Sequence, residues 1–515
     1  MTKTLKLALL LCSSLFIAVA SSAQQSRKPA PATGRLAGVE KSYAKARQAL
    51  DAAIAAHGGM EAMRAVQDVT VKVSGTTYAR NQSVRVEPPF DAEPRDETLF
   101  VDLRNRTYVF ENRDPLPGGF VFGGKTVIVG NQGFFVDPRN RTVQPINLTN
   151  FNNINYVRRV PHLLLMTALD RAGTLRWLGT ENYKGRPHNV VTFATNVGNQ
   201  ITLYFDAGTN LLTKYEQMVS DFVDGDTAQE VIFSGYRTIG KLKVPAARMT
   251  TRAGGVIEDV KYVDVQFDTR PPQSAFAKPE GFTELPMQTP SAIKETKLAD
   301  GVYLFESANN TLVVEFKDYV LVVEPTVGSR GPQPTITKIK EMMPGKPVKY
   351  VVPTHHHDDH SGGVRTFVAE GTIIVTTPGN QRYFEQMARA PFTITSDRQT
   401  REPRQPIFEI ISDKKRVFTD GEQIVEIIDI GPSPHAAEML LAYLPKHKLV
   451  FQGDLIILPP DGKFVSDTVN DTTLHFAEAI RRLGLDVERI AAVHGPTTTL
   501  DALKEAIAAK QRPAK

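Results

Sequence analysis

A cluster of histidines and aspartates constrains this chain more than any other feature of its sequence. Residues 354–363 read Thr-His-His-His-Asp-Asp-His-Ser-Gly-Gly and directly follow an apolar run that predicts a buried strand. His355 and His357 are two residues apart, so an extended chain directs both imidazoles to one side. Asp359 and His360 come from the following turn, where adjacent side chains reach a second point. The spacing therefore predicts a metal site at the carboxyl end of a strand.

Three more residues of ligand type follow at the ends of later apolar runs, namely His435, Asp454 and His494. Layered α/β domains build their sites at the carboxyl ends of strands, so we expect these side chains to join the cluster. Imidazole and carboxylate ligands suit Zn²⁺, and iron and manganese are alternatives on the same ligand chemistry. Glu438 is either a hydrogen-bond partner that orients a ligand or an exposed carboxylate.

The pattern of predicted strands and helices changes near residue 290, which predicts two domains. Residues 39–286 are rich in short alternating strands and begin with an Ala-rich helix, Tyr43–Ala56, so we expect a β-rich domain. Residues 293–515 alternate apolar strands such as Val348–Pro353 with helices, which predicts a layered α/β domain. The overall expectation is a two-domain chain, α+β followed by α/β.

The first 23 residues are typical of a secretory signal. Lys3 and Lys6 precede an apolar stretch, and Ser21-Ser22-Ala23 offers small residues for cleavage. The alternative is a membrane anchor, but the apolar stretch is shorter than the ~20 residues that a span needs. We therefore expect a periplasmic or secreted protein with residues 24–38 as a flexible leader. Cleavage would remove Cys12, the only cysteine, and with it any thiolate ligand or disulfide.

Composition limits the partners of the chain. There are 61 Lys+Arg and 56 Asp+Glu, giving a formal net charge of only +5, and no dense basic block stands out. This balance does not support a dedicated nucleic-acid binder, so we expect no nucleic-acid partner. No second long apolar run follows the first 23 residues, so we expect no stable membrane span after signal removal.

The motif at residues 355–360, with its three downstream partners in this order, resembles the metallo-β-lactamase-fold hydrolase superfamily over roughly residues 295–510. The resemblance implies an αβ/βα sandwich with two metals in a cleft at the sheet edges. It also implies a ligand set: His355, His357 and His435 hold one metal, Asp359, His360 and His494 hold the other, and Asp454 bridges them.

The same resemblance implies a mechanism and a substrate class. Two Zn²⁺ per chain would share a hydroxide that attacks the substrate, and Asp359 would orient this nucleophile as the catalytic residue. A bridging Asp454 resembles the thioesterase, lactonase and general hydrolase branches rather than the β-lactamases. We therefore expect a secreted hydrolase acting on a small ester, lactone, thioester or amide.

Two other functions stay open from the sequence. One is a mononuclear iron persulfide dioxygenase of the same fold. The other is a non-enzymatic periplasmic protein for lipid binding or envelope assembly, because the N-terminal half resembles the periplasmic lipoprotein-carrier half-barrel. The segments that carry this resemblance are His57–Ala62, Val69–Ser74, Phe233–Tyr236, Lys243–Pro245 and Val260–Phe267. It implies a curved antiparallel sheet around a helix with an apolar ligand, and a packing module without ligand is the alternative.

Overall fold

The structure is a computed structural model that describes residues 37–149, 151–287, 293–307, 309–326, 334–459, 462–464 and 468–511. The signal predicted at residues 1–23 and the leader up to residue 36 lie outside the described residues. In the part of the chain that is described, no helix is both long enough and apolar enough to cross a membrane.

The α-helices of the described residues are α1 (Gly38–Ala56), α2 (Met60–Ala65), α3 (Ile154–Val157), α4 (Pro161–Asp170), α5 (Pro334–Met342), α6 (Asp358–Ser361), α7 (Val364–Glu370), α8 (Pro378–Arg389), α9 (Arg398–Arg401), α10 (Asp471–Leu483) and α11 (Leu500–Lys510). The strands up to residue 284 are β1 (Val69–Tyr78), β2 (Ala92–Asp102), β3 (Thr107–Leu116), β4 (Phe120–Val129), β5 (Gln132–Asp137), β6 (Thr142–Pro145), β7 (Arg176–Tyr183), β8 (Arg186–Ala194), β9 (Gln200–Asp206), β10 (Leu212–Asp221), β11 (Gly225–Ser234), β12 (Arg237–Ile239), β13 (Leu242–Val244), β14 (Ala247–Arg252), β15 (Gly255–Phe267) and β16 (Thr283–Glu284). The later strands are β17 (Lys294–Ala299), β18 (Val302–Glu306), β19 (Thr311–Glu315), β20 (Val320–Val323), β21 (Val348–Val352), β22 (Ile373–Thr376), β23 (Ile407–Ile410), β24 (Lys415–Thr419), β25 (Ile424–Asp429), β26 (Leu440–Leu444), β27 (Leu449–Gln452), β28 (Arg489–Ala492) and β29 (Thr498–Thr499).

The N-terminal half is one large sheet with helices on one face. Its strand order is β16-β6-β5-β4-β3-β2-β1-β15-β14-β11-β10-β9-β8-β7, and the neighbours are antiparallel except for the parallel pair β16 and β6. Helix α1 places Ala46, Leu50 and Ala53 on one stripe, and this stripe packs with Leu164 of α4 and Phe205 of β9 in a single core. The β-rich prediction is confirmed.

The half-barrel prediction for this domain is not confirmed. The terminal strands β16 and β7 do not pair with each other, so the sheet is open and no barrel closes among the described residues. The face that a carrier would offer to a ligand is covered by α1 and α4, whose buried side chains fill the core against Val71 and Leu203. The predicted apolar ligand therefore has no support in the structure.

The C-terminal half has four layers, as the resemblance implies. One sheet has the order β17-β18-β19-β20-β21-β22-β23 and the other the order β24-β25-β26-β27-β28-β29. A core containing Leu321 and Phe451 fills the space between the two sheets. Helices α5, α7 and α8 cover the outer face of the first sheet, and α10 and α11 cover that of the second. The αβ/βα sandwich is confirmed.

Strand direction brings several loops to one edge of this sandwich. Strands β20 and β21 are parallel in one sheet, and β27 and β28 are parallel in the other. Strand β20 reads Val-Leu-Val-Val and is buried throughout, which is typical of a strand covered on both faces. The loops that leave β21, β25, β27 and β28 carry the residues predicted to bind metal.

The N-terminal core holds a neutral histidine that should make the domain sensitive to acid. His162 is only 2% exposed, and burial lowers its pKa to about 3. The folded state excludes a proton that the unfolded chain binds below pH ~6.5, so the full stability is present above that pH and is lost as pH falls toward 3. At pH 5 the cost from this residue is about 2 kcal/mol.

We expect His162→Leu to weaken the loss of stability between pH 8 and pH 5, while changing stability at pH 8 by less than about 1.5 kcal/mol. The single tryptophan, Trp177, lies in β7 and packs against the same core, so its fluorescence during urea unfolding reports this domain. An equal acid loss in the variant and the wild type would contradict the assignment.

Candidate metal centre

The motif of residues 354–363 forms a tight turn between β21 and α6. His357 lies at the N-cap of α6, and Ser361 donates from Oγ to the carbonyls of His356 at 2.8 Å and His357 at 2.9 Å. These bonds fold the chain back on itself directly after the strand. His355 and His357 are therefore fixed by the strand end, and Asp359 and His360 by the first turn of the helix.

The two glycines that end the motif have a different role from the one their type predicts. Gly362 and Gly363 have φ values of −58° and −86°, so neither needs the left-handed region. A Cβ on Gly362 would lie 2.5 Å from the carbonyl oxygen of Asp358 and 3.2 Å from the ring of Phe222 in the N-terminal domain. Gly362 is thus explained first by the close approach of the Asp358 carbonyl within the same turn and second by packing against Phe222.

The first group of ligand-type side chains is deeply buried. His355, His357 and His435 are at most 1% exposed. The ring centroids of His355 and His357 are 4.5 Å apart, and that of His435 is 4.4 Å from His357 and 5.0 Å from His355. Together with Asp454, each offers a ligand atom within 4.8 Å of the others.

The second group lies beside the first and is more open. It consists of Asp359, His360, Asp454 and His494, whose ligand atoms again lie within 4.8 Å of one another. Oδ2 of Asp359 is 3.3 Å from Nε2 of His494 and 3.4 Å from Nε2 of His360. The side chains of Asp359 and His494 are 33% and 21% exposed, so this group faces the opening of the site.

Asp454 belongs to both groups and directs one carboxylate oxygen to each. Its Oδ1 is 3.0 Å from Nε2 of His360 and 3.3 Å from Nε2 of His494. Its Oδ2 is 3.3 Å from Nε2 of His435. The structure thus brings together all seven residues predicted from the sequence, while their role as metal ligands stays a prediction.

Orphaned ring nitrogens provide a test of whether these residues fit a metal. Buried polar atoms normally have hydrogen-bond partners. Among the described residues, Nε2 of His355 and Nδ1 of His357 have no hydrogen-bond partner, and Nε2 of His360 and of His435 lie near carboxylate oxygens of Asp454 and Asp359 without hydrogen-bond geometry. The other ring nitrogen of each of these histidines is hydrogen-bonded, as metal-binding histidines require. The donor set therefore fits two cations bound by nitrogen and oxygen.

Glu324 is a buried carboxylate of the site that the sequence analysis missed. It follows β20, is 0% exposed, and lies next to the motif because β20 and β21 are parallel neighbours. Its Oε2 accepts a hydrogen bond from Nδ1 of His360 at 2.9 Å, and its Oε1 accepts from the backbone of Thr354 at 2.8 Å. A carboxylate at the end of an all-apolar strand beside the motif strand is the signal that could have identified it.

The electrostatics of the site separate neutral imidazoles from a charged one. Burial lowers the pKa of His355 and of His357 well below the usual value, and neighbouring imidazoles lower it further. Burial would also lower the pKa of His360, but Asp454, Asp359 and Glu324 together raise it well above that value. The neutral rings of His355 and His357 are the form that binds metal. A protonated His360 compensates the negative charge of these three carboxylates, which is the charge that a bound cation would neutralise.

The N-terminal domain supplies contacts to the site that no local sequence pattern indicated. The carbonyl oxygen of Ser83 accepts from Nε2 of His357 at 2.9 Å, and that of Pro117 accepts from Nδ1 of His435 at 3.1 Å. The ring of Phe120 meets His435 edge-on at 5.4 Å between centroids. Two loops of the first domain therefore fix the orientation of two imidazoles of the second.

Two further residues have clear structural roles near the site. Glu438 accepts from the backbone N–H groups of Gly379 at 3.2 Å and Asn380 at 3.1 Å, so it caps α8 rather than orienting a ligand. Gly453 precedes Asp454, and a Cβ there would lie 2.4 Å from Oγ1 of Thr354. A side chain at position 453 would therefore push against the turn that holds His355.

A cavity of about 840 Å³ lies mostly within the N-terminal half and reaches Asn470 and Lys510 of the C-terminal half, and none of the seven predicted site residues lines it. Phe120, which contacts His435, lines it together with Phe122, Arg113 and Arg139. The guanidinium of Arg139 lies 5.6 Å from the ring centroid of Phe122. The lining thus combines aromatic surface with positive charge.

Four layers of α/β structure with a cluster of histidines and aspartates at one edge form the arrangement that the predicted resemblance implies. Residues 304–506 match the family model described as the metallo-beta-lactamase superfamily, which confirms the resemblance predicted over roughly residues 295–510.

Relatives and solved structures were found for parts of the chain. A linear primary-alkylsulfatase from Pseudomonas sp. is 32% identical over 79 residues, which cover 15% of this chain and 12% of that protein. The metallo-beta-lactamase from Pontibacter korlensis is similar at 22% identity and a TM-score of 0.32, covering 43% of this chain and 99% of its own. The metallo-beta-lactamase FIM-1 from Pseudomonas aeruginosa, in its mono-zinc form, is similar at 22% identity and a TM-score of 0.31, covering 43% of this chain and 98% of its own.

Proposed function

We propose that this chain is a secreted or periplasmic hydrolase with two metal ions, zinc by ligand chemistry, that cleaves a small ester, lactone, thioester or amide. The observation that carries the proposal is the shared position of Asp454 between two groups of side chains. The signal-like pattern of residues 1–23 supports the location, and the imidazole- and carboxylate-only donor set supports zinc.

Two such cations supply Lewis acidity and lower the pKa of a bound water to about 7. The residues around them divide the remaining work. The first group is closed to solvent, so its role would be to hold one ion rather than to contact the substrate. The second group is partly open at Asp359 and His494, so substrate would approach from that side. Asp359 has one oxygen, Oδ2, directed into the second group, where it can accept a hydrogen bond from the attacking water and orient it.

A second candidate substrate is an alkyl sulfate ester. The similarity to a linear primary-alkylsulfatase supports this candidate, although it covers only an eighth of that protein's length.

The proposed function is tested by metal quantification and a substrate panel on the same purified protein. We expect two zinc ions per chain and hydrolysis of at least one compound among a lactone, a thioester, a carboxylic ester, an amide and a long-chain alkyl sulfate. Release of inorganic sulfate from the last compound alone would favour the second candidate. One iron per chain with uptake of oxygen would contradict hydrolysis and favour a dioxygenase.

A further inference from the structure

The two oxygens of Asp359 have different partners in the structure. Oδ2 faces the second group of side chains, 3.3 Å from His494. Oδ1 faces the opposite way and accepts a hydrogen bond at 2.9 Å from Nε2 of Gln82, a residue of the N-terminal domain. The same amide nitrogen donates to Oδ1 of Asp358 at 2.8 Å. Gln82 thus uses both amide hydrogens on two adjacent carboxylates.

The loop that carries Gln82 is fastened to the site on both sides of this residue. The carbonyl of Asn81 accepts from the backbone of Asp358 at 3.3 Å, and the carbonyl of Ser83 accepts from His357 at 2.9 Å. One residue further, the carbonyl of Val84 accepts from the backbone of Ala437 at 2.7 Å. Four consecutive residues of the first domain therefore contact the predicted metal-binding loops of the second.

The loop is also held by hydrogen bonds within itself, so its position does not depend on its contacts with the site alone. The backbone N–H of Val84 donates to Oδ2 of Asp91 at 2.7 Å, and the backbone N–H of Asp91 donates to Oγ of Ser83 at 2.9 Å. The loop leaves β1 and enters β2, both inside the large sheet. Gln82 is accordingly presented from a rigid support, as a residue that orients a ligand must be.

We propose that Gln82 is a positioning residue that holds Asp359 so that Oδ2 points into the second metal site. The inference rests on the two-metal assignment of the proposed function and adds that the N-terminal domain completes this site. Without the amide, Oδ1 of Asp359 loses this hydrogen bond, and the carboxylate is oriented only by the contacts of Oδ2 with His360 and His494. Hydrogen bonds of this kind to a ligand typically change metal affinity by about 10- to 100-fold.

The experiment compares Zn²⁺ binding by the full chain, the Gln82→Met variant and a control, using competition with a chromophoric chelator. Methionine has nearly the shape of glutamine but donates no hydrogen bond. We expect the first Zn²⁺ to bind as in the wild type and the second to bind about 10- to 100-fold more weakly. Glu87→Gln is the matched control, because Glu87 lies in the same loop with its carboxylate 3.7 Å from Arg382 and 70% exposed, away from the site.

Equal affinity for both ions in Gln82→Met and the wild type would overturn the inference. Equal weakening of both ions together with a lower melting temperature of the metal-free protein would also overturn it, since Gln82 would then only support the fold. Wild-type protein that binds two ions yet hydrolyses nothing would contradict the proposed function and leave this inference standing. The two failures are therefore distinguishable.

Discussion

Asp454→Asn is expected to abolish turnover and to lower the metal content of both sites. The carboxylate is the one side chain shared by the two groups, with Oδ1 at 3.0 Å from His360 and Oδ2 at 3.3 Å from His435. An amide of the same shape removes the negative charge and places an NH₂ group where one of these oxygens lies. The loss of metal-based charge stabilisation, several kcal/mol, corresponds to roughly a thousandfold or more in rate.

The measurement pairs metal content per chain with kcat on whichever panel substrate the wild type cleaves. Asp486→Asn provides the control, since that carboxylate is 70% exposed and pairs with Lys448 at 3.1 Å, away from the site. His494→Ala separates the two groups, because His494 belongs to the second group only and its loss should spare the first ion. Full metal loading and wild-type turnover in Asp454→Asn would reject the bridging assignment.

The seven site residues could be predicted because each follows a short apolar strand. Strands that end at the same edge of a layered domain bring their next residues together, so order along the chain was enough to place His435 and His494 near the motif. The same argument applied to Glu324, which follows Val-Leu-Val-Val, but a single glutamate after one strand does not differ from an exposed carboxylate until the parallel pairing is known.

The contribution of the first domain could not be predicted, because its contacts join residues far apart in the chain. Ser83 and His357 are separated by 274 positions, and Pro117 and His435 by 318. Both contacts use backbone carbonyls, which every residue has, so the residue types at positions 83 and 117 do not indicate them. The role of Gln82 could not be predicted from the sequence either, because an amide between polar neighbours is typical of an exposed loop.

The elements of the N-terminal sheet show a similar limit. The alternation of valines with polar residues in Val69–Ser74 indicates β1, whereas no such alternation indicates the start of β2. Its first six residues read Ala-Glu-Pro-Arg-Asp-Glu, which resembles a solvated loop. The charges are nevertheless accommodated, because Glu97 and Arg95 find partners from β14, β15 and the segment after α3. Burial of charge depends on those distant partners and is invisible in the local pattern.

Glu97 is the centre of this buried ion cluster. Its side chain is 2% exposed, with Oε1 at 3.0 Å from Arg159 and Oε2 at 3.4 Å from Arg248 and 3.3 Å from Arg95. Glu258 also pairs with Arg248, at 3.0 Å. Burial would raise the pKa of Glu97, but the three guanidinium groups lower it to about 2. The cluster therefore depends on the negative charge of Glu97.

Glu97→Gln should destabilise the N-terminal domain by about 3–5 kcal/mol, because it leaves buried guanidinium charge without its partner. The low pKa of Glu97 in the folded state gives a second, independent value for its contribution to the free energy of unfolding. The stability from Glu97 is present above pH ~4.5 and is lost as pH falls toward 2, and at about 1.4 kcal/mol per pKa unit it amounts to about 3 kcal/mol. Urea unfolding followed by Trp177 fluorescence at pH 7 and pH 3.5 measures both effects.

Asp96→Asn is the matched control for this change, since Asp96 is the next residue back on β2 and faces solvent on the other side of the sheet. It should shift stability by no more than about 0.5 kcal/mol. Glu97→Gln should in addition lose less stability than the wild type between pH 7 and pH 3.5, because the titrating group is gone. A variant that matches the control at pH 7 would show that the guanidinium groups are compensated without Glu97. The cluster would then owe its stability to Glu258, which pairs with Arg248, and to Asp114, which pairs with Arg95.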